Sequence, residues 1–255
     1  MAKLYTDDAE LYDIAFDWDV TDEVDWLLER LGAECRSVLE PGCGSGRMLE
    51  ALARRGIEVA GIDLSPAMVE LARRRLCDRG TVVVADMRNF DLGRTFDGVI
   101  SPINTLLHLA PNELAAHLNA TARHLRPGGR YLVQLGILDP DEPLQSSRWE
   151  TKRGDTRLRI EWAQEEVDLG RARQIQRSRI EVITGSRAGE IVEEKHLMTA
   201  WTWDSWEGAI EPSPFDEIAA YDGDETGRPW VERGATSGLL WHELVLSRSQ
   251  RRPFA

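Results

Sequence analysis

Between residues 37 and 136 the chain changes its hydrophobic period repeatedly. Short apolar, β-branched runs (SVLE, EVAGID, TVVVAD, FDGVIS and GRYLVQLG) alternate with segments 47–55, 66–76 and 112–125, where apolar residues recur every three to four positions. Strands separated by helices of about ten residues imply βαβ units and an α/β, doubly wound, mainly parallel sheet. Ser65 and Pro66 form an N-cap and first-turn pair for the second of these helices, and Gly56 sits where a left-handed residue would close the first. Upstream, Val24, Leu27, Leu28 and Leu31 recur at helical spacing before Gly32, and the acidic stretch LYTDDAELYDIAFDWDV is expected to be partly helical.

After Gly136 the period shortens. RLRIEW puts Leu158, Ile160 and Trp162 on one face and Arg157, Arg159 and Glu161 on the other, the pattern of a half-buried antiparallel strand. RQIQRSRIEVIT and EIVEEKHLMTAW continue it, so 148–201 reads as a β-meander inserted into the α/β domain. DSWE, 204–207, has capping-box spacing for a short helix. FDEIAAYDGD and LLWHELVLS then supply two last strands, followed by the tail RSQRRPFA.

Composition narrows the functional classes. At 255 residues and 42% hydrophobic content the chain suits one domain with a sizeable core. The formal charge is −13, and the first 30 residues hold ten acidic side chains against Lys3 and Arg30. Such a field repels phosphate backbones and anionic lipid, which argues against nucleic acid or membrane as the main partner. Cys35, Cys43 and Cys77 show no metal-ligand or CxxC spacing, no run is long enough to span a bilayer, and the N-terminus has no secretory pattern, so a cytoplasmic protein without a metal site is expected.

The glycine turn EPGCGSGR after the first strand carries the candidate chemistry. It lacks the Lys that a P-loop needs, which removes the triphosphate reading. A dinucleotide fingerprint is GxGxxG, whereas Gly42, Gly44 and Gly46 give GxGxG, with Arg47 where the third required glycine would be; this weakens a dinucleotide reading without removing it. Asp63 ends the second strand, where a carboxylate can accept from ribose hydroxyls, and Asp86 with Met87 ends the third, fit for an adenine amine and ring face.

In order and spacing, VLEPGCGSGR, VAGIDLSPAMVELAR, VVVADMRNF, FDGVIS and LRPGGRYLVQ resemble the successive motifs of class I (Rossmann-like) S-adenosylmethionine-dependent methyltransferases, over 37–136. The resemblance implies a seven-stranded sheet whose last strand, LLWHELVLS, runs antiparallel. It implies that Gly42, Gly44 and Gly46 let backbone approach the methionine part of S-adenosyl-L-methionine, with Glu40 near its ammonium. Asp63 would hold the ribose, Asp86 and Met87 the adenine, and Leu64 and Ser101 would complete the cofactor-binding set. The N-terminal segment is similar to the lid of small-molecule members, whose tyrosines, here Tyr5 and Tyr12, close over the cofactor. The meander resembles the acceptor cover of such members, some amino-sugar N-methyltransferases among them. The implied division is a helical lid at 1–34, a Rossmann-like core at 35–147 and 202–255, and the meander at 148–201.

The implied reaction is methyl transfer to nitrogen or oxygen of a small molecule, leaving S-adenosyl-L-homocysteine. A hydroxyl acceptor would want a general base. His108 in SPINTLLHL is the first candidate and His196 in EEKHLMTAW the second, while His117 and His124 are expected at a helix surface and His242 in a strand, pairing with its neighbours. Arg47 either reaches a substrate carboxylate or opens a helix into solvent. Trp149, Trp162, Trp201, Trp203 and Trp206 either line an aromatic pocket or fill a thin meander. An NAD-dependent oxidoreductase and a catalytically silent cofactor-binding module stand as alternatives, and homodimerisation is left open.

Overall fold

The computed structural model describes residues 2–225, 227–234 and 237–247; the tail RSQRRPFA lies outside the described residues. A 3-10 turn at Lys3–Tyr5 leads into helix α1, Ala9–Ala15, and α2, Thr21–Leu31. The alternating region then gives β1 Ser37–Pro41, α3 Arg47–Arg54, β2 Glu58–Asp63, α4 Pro66–Leu76, β3 Gly80–Val84, β4 Phe96–Ser101, α5 Pro111–Arg123 and β5 Leu125–Ile137. Next come β6 Ser146–Arg153, β7 Thr156–Asp168, β8 Arg173–Thr184, β9 Ile191–Thr199, α6 Trp203–Ile210, β10 Phe215–Asp222 and β11 Gly238–Leu246.

Seven strands form the main sheet in the order β10-β11-β5-β4-β1-β2-β3. β1 to β5 pair in parallel, whereas β11 runs antiparallel to both β5 and β10, so the last strand is inserted against the direction of its neighbours. This is the expected seven-stranded architecture. On one face Val24, Leu27, Leu49, Leu52, Val69 and Ala72 from α2, α3 and α4 cover Val38, Val59, Ile100 and Leu132. On the other, Leu114 and Leu118 of α5 and Trp206 and Ile210 of α6 cover Leu39, Ile62, Val99 and Val133. Full burial of an aliphatic side chain stabilises by about 1.5–3 kcal/mol, and Val24 and Leu27 are completely buried.

That packing changes one expected boundary. Helix α2 belongs to the core layer and not to a lid, because its apolar stripe seats on the main sheet's face. Only the segment through α1 lies over the site: Leu4, Leu11 and Ala15 pack on Leu158, Ile160, Ile180 and Val182 of the second sheet.

The second sheet, β6-β7-β8-β9, is antiparallel throughout. It is the expected meander with an additional first strand that begins at Ser146. Helix α6 opens two residues earlier than the DSWE pattern predicts, because Thr202 is the N-cap, its hydroxyl accepting from Ser205 N, and Ser205 reaches back to Thr202 N. Ser65 caps α4 as expected, accepting from Met68 N at 3.3 Å, and Gly56 takes φ +81° just past α3.

Candidate active site

The carboxyl ends of β1 and β2 are tied together by backbone. The amides of Gly42 and Cys43 both donate to Ile62 O, at 2.7 and 3.0 Å, which folds the glycine turn back over the end of β2. Asp63 completes the clasp: Gly44 N donates to one carboxylate oxygen at 2.9 Å and Ser65 N to the other at 2.8 Å. Burial pushes the Asp63 carboxyl up, and these backbone donors pull it back down. Gly42 has φ +74°, and a Cβ there would lie 2.5 Å from Thr105 Cγ2, so only glycine lets the turn approach the loop after β4. At Gly44, with φ +52°, a Cβ would meet nothing within 4 Å, so this glycine faces open space. Gly46 differs from the expected role: its Cβ would sit 3.0 Å from Ala72 Cβ, so it serves the close packing of α3 on α4 and does not line the cavity.

Above this turn is a cavity of about 600 Å³ bounded by the main sheet, the N-terminal segment and the meander. Gly42, Gly44, Asp63, Leu64, Asp86 and Met87 line one half, Tyr5 and Tyr12 roof it, and His108, Leu109, Trp162, Gln176, His196 and Met198 line the other half. Tyr5 and Tyr12 meet edge to face at 5.3 Å between centroids, and Tyr5 also packs on both imidazoles, at 5.6 Å from His108 and 5.4 Å from His196. Its hydroxyl lies 3.5 Å from His108 Nε2. The two histidines, 88 residues apart in sequence, thus come to 6.4 Å between ring centroids. Burial, with the neighbouring His196 second, pulls His108 down to about 4; burial also lowers His196.

Glu40, next to last in β1, is buried and does not itself line the cavity, and among the described residues one of its carboxylate oxygens has no hydrogen-bond partner. Burial drives its carboxyl far up; Arg47 opposes this, while Asp63 and Glu23 add to it. A buried carboxylate without a partner is costly unless a cation reaches it. Asp86 is held differently: Arg88 forks onto it, with Nε at 3.0 and 2.9 Å from the two oxygens, and its carboxyl is lowered mainly by that contact.

Three expected placements are corrected. Ser101 is buried beneath the cavity, with its hydroxyl 2.7 Å from Tyr131 Oη, and does not line the site. His117 and His124 are not surface residues; they are 0% and 2% exposed, because partners distant in sequence satisfy them. The carbonyl of Met87 can only accept, so His117 Nδ1 donates to it at 2.8 Å, and Nε2 must then accept from Tyr131 Oη at 2.7 Å. His124 Nε2 accepts from Leu92 N. His242 lies in β11 as expected and bonds Glu217 of the paired strand β10. Arg47 points to neither solvent nor substrate: its guanidinium stacks 4.0 Å above Trp18 and donates to Phe16 O.

The loop after β4 contributes residues that the pattern did not single out. Ile103 and Asn104 have φ of +50° and +60°, uncommon for non-glycine residues. They are held there by Ile103 N donating to Gln134 Oε1, Asn104 N to Gln134 O, and Gly136 N to Asn104 Oδ1. Of the meander tryptophans, Trp162 lines the cavity, Trp201 and Trp206 fill the core, and Trp149 Nε1 donates to Ala15 O, which ties the meander to α1.

Residues 38–129 match the family model described as a methyltransferase domain. Over that stretch, just over a third of its length, the chain is similar to methyltransferase domains. The match spans the cavity's cofactor-side strands and the glycine turn. The chain also aligns with curated proteins: it is 35% identical over 136 residues to a dTDP-3-amino-3,4,6-trideoxy-alpha-D-glucopyranose N,N-dimethyltransferase of Streptomyces venezuelae, covering 50% of this chain and 56% of that protein. It is 33% identical over 127 residues to a cypemycin N-terminal methyltransferase of a Streptomyces species, covering 49% and 50%. The chain thus spans about half the length of the curated relatives it matches. Among solved structures it superposes on Streptomyces venezuelae DesVI with a TM-score of 0.76, 24% identity and coverage of 92% and 97%. For CalS10, an amino pentose methyltransferase solved with S-adenosylmethionine bound, the values are 0.73, 23%, 93% and 97%. These structural likenesses are of fold and extend well past residues 38–129. No group of three or more potential metal ligands occurs among the described residues, and none of their helices is long and apolar enough to cross a membrane.

Proposed function

We propose that the protein transfers a methyl group from S-adenosylmethionine to the nitrogen of a small-molecule amine. The observation that carries the reading is a pair of carboxylates beside the glycine turn: Asp63 lines the cavity, and Glu40 lies behind the lining with a buried oxygen that has no partner among the described residues. An α-ammonium and a ribose diol are the two groups such a pair would hold, and they belong to one molecule. Asp86 is already committed to Arg88, so an adenine amine would share it, and the ring face would rest more on Met87. When bound, the cofactor supplies an electrophilic methyl group and a neutral thioether leaving group.

The chain's own residues supply alignment and dryness. Tyr5, Tyr12 and the meander exclude water over the transfer axis, and His108 and His196 flank the acceptor half. Nitrogen is favoured over oxygen because His108, held near 4, is too weak a base to take a hydroxyl proton, whereas an amine needs only to enter unprotonated, which a desolvated cavity favours. Three of the curated relatives carry N,N-dimethyltransferase names, which agrees with that choice.

Calorimetry with S-adenosylmethionine, S-adenosylhomocysteine and NAD tests the cofactor assignment, and mass spectrometry of an amine panel incubated with isotopically labelled cofactor tests the reaction. Saturable binding of the first two without NAD is expected. Binding of NAD alone would overturn the assignment.

A further inference from the structure

We infer that the acceptor half of the cavity takes a phosphate-free amine with an apolar body, and not an amine linked to a nucleotide. The inference rests on the methyl-transfer reading above. Among the described residues, two cations line the cavity, Arg88 and Lys195, and both are already matched. Arg88 holds Asp86 and, at 2.5 Å, Glu113; Lys195 Nζ is 2.5 Å from Glu165. Asp63, Asp86, Glu113 and Glu194 line the same walls, and Glu194 is fixed there by the amides of Lys3 and Leu4, at 2.7 and 2.8 Å. A diphosphate would have to draw a carboxylate off each cation and then lie beside it. Like charges brought together in a recess repel, and the field of a −13 chain adds to the penalty.

The meander face offers no replacement. Trp162 Nε1 donates to Gln176 Oε1, Gln176 Nε2 and Gln164 Nε2 both donate to Gln174 Oε1, and Gln174 Nε2 donates to Thr199 O. These amides satisfy one another and present little unmet polarity. His196, only 7% exposed, is the exception: the residue lines the cavity's acceptor half, and its buried Nε2 has no hydrogen-bond partner among the described residues. One neutral imidazole nitrogen suits an amine N–H and cannot neutralise a phosphate. The rim agrees, since Leu197 on the meander lines the cavity at 69% exposure, an apolar contact where a substrate's remainder would emerge.

The test loads the full chain with S-adenosylhomocysteine, whose own binding is measured first; failure at that step would overturn the methyl-transfer reading and not this one. The loaded protein is then titrated with octylamine, an octyl glycoside of an amino sugar, thymidine diphosphate and inorganic pyrophosphate, following tryptophan fluorescence and heat. Saturable binding of at least one of the two amines is expected, weakened about tenfold in His196→Asn with S-adenosylhomocysteine affinity unchanged, and not displaced by either phosphate. Saturable binding of thymidine diphosphate that is lost in Arg88→Ala or Lys195→Ala would overturn the inference, as would failure of both amines to bind.

Discussion

Gly42 and Gly44 occupy similar backbone conformations but answer to different constraints, and substitution separates them. Gly44→Ala meets no neighbour and incurs only left-handed strain, about 1–2 kcal/mol. Gly42→Ala adds the collision with Thr105 Cγ2, so it should lose more stability, and Thr105→Ser in the same chain should restore part of the difference; urea melts of the three variants check this. Asp63 acts on the turn as well as on any ligand, since both its oxygens accept backbone amides. Asp63→Asn keeps one acceptor and loses the charge, so S-adenosylmethionine affinity is expected to fall about 10- to 100-fold with the fold retained, measured by calorimetry and far-ultraviolet dichroism. His117 gives a pH prediction. Burial holds it down to about 4, so between pH 6.5 and 4 the unfolded chain takes up a proton that the folded chain does not. Stability contributed by the neutral ring is therefore present above pH 6.5 and lost as pH falls through that window, by roughly 3 kcal/mol at most. His117→Asn should flatten that part of the stability profile.

Among the elements, the N-terminal segment owes its position to long-range ties. Asp13 joins Arg75 of α4 at 2.6 Å and Arg153 of β6 at 2.5 Å, and Trp149 donates to Ala15 O, so α1 is clamped between the main sheet's helices and the meander. Asp13→Asn should raise amide exchange in 9–15 several-fold and weaken cofactor binding while leaving exchange in β1 unchanged, as read by mass spectrometry. None of these ties was visible in the linear pattern. The βαβ alternation, Ser65 as a cap and the glycine turn were legible, because each depends on neighbours within a few residues. His117, His124 and Arg47 were misread because their partners Met87, Tyr131, Leu92, Phe16 and Trp18 lie up to 32 residues away and leave no periodic mark. The same holds for the Ile103–Asn104 turn: its left-handed backbone is imposed by Gln134 and Gly136, and nothing in SPINT announces it. An amphipathic stripe does not say which surface it will meet, so the pattern of α2 does not distinguish the main sheet's face from a lid.

At the scale of the molecule, a parallel sheet supplies one wall of the cavity and an antiparallel meander the other, with the N-terminal segment bridging them. Its 3-10 turn is held on both sides: the amides of Lys3 and Leu4 bond Glu194 on β9, and Ser65 Oγ at the head of α4 donates to Tyr5 O. On the proposed reading, exchange of used for fresh cofactor would lift Tyr5 and Tyr12, which also line the roof of the acceptor half. An acceptor with two removable amine hydrogens would therefore meet bulk solvent between one transfer and the next. Its monomethyl form should accumulate and leave before the dimethyl form appears, so the enzyme would be distributive, and a time course of the two products under excess acceptor would show the lag.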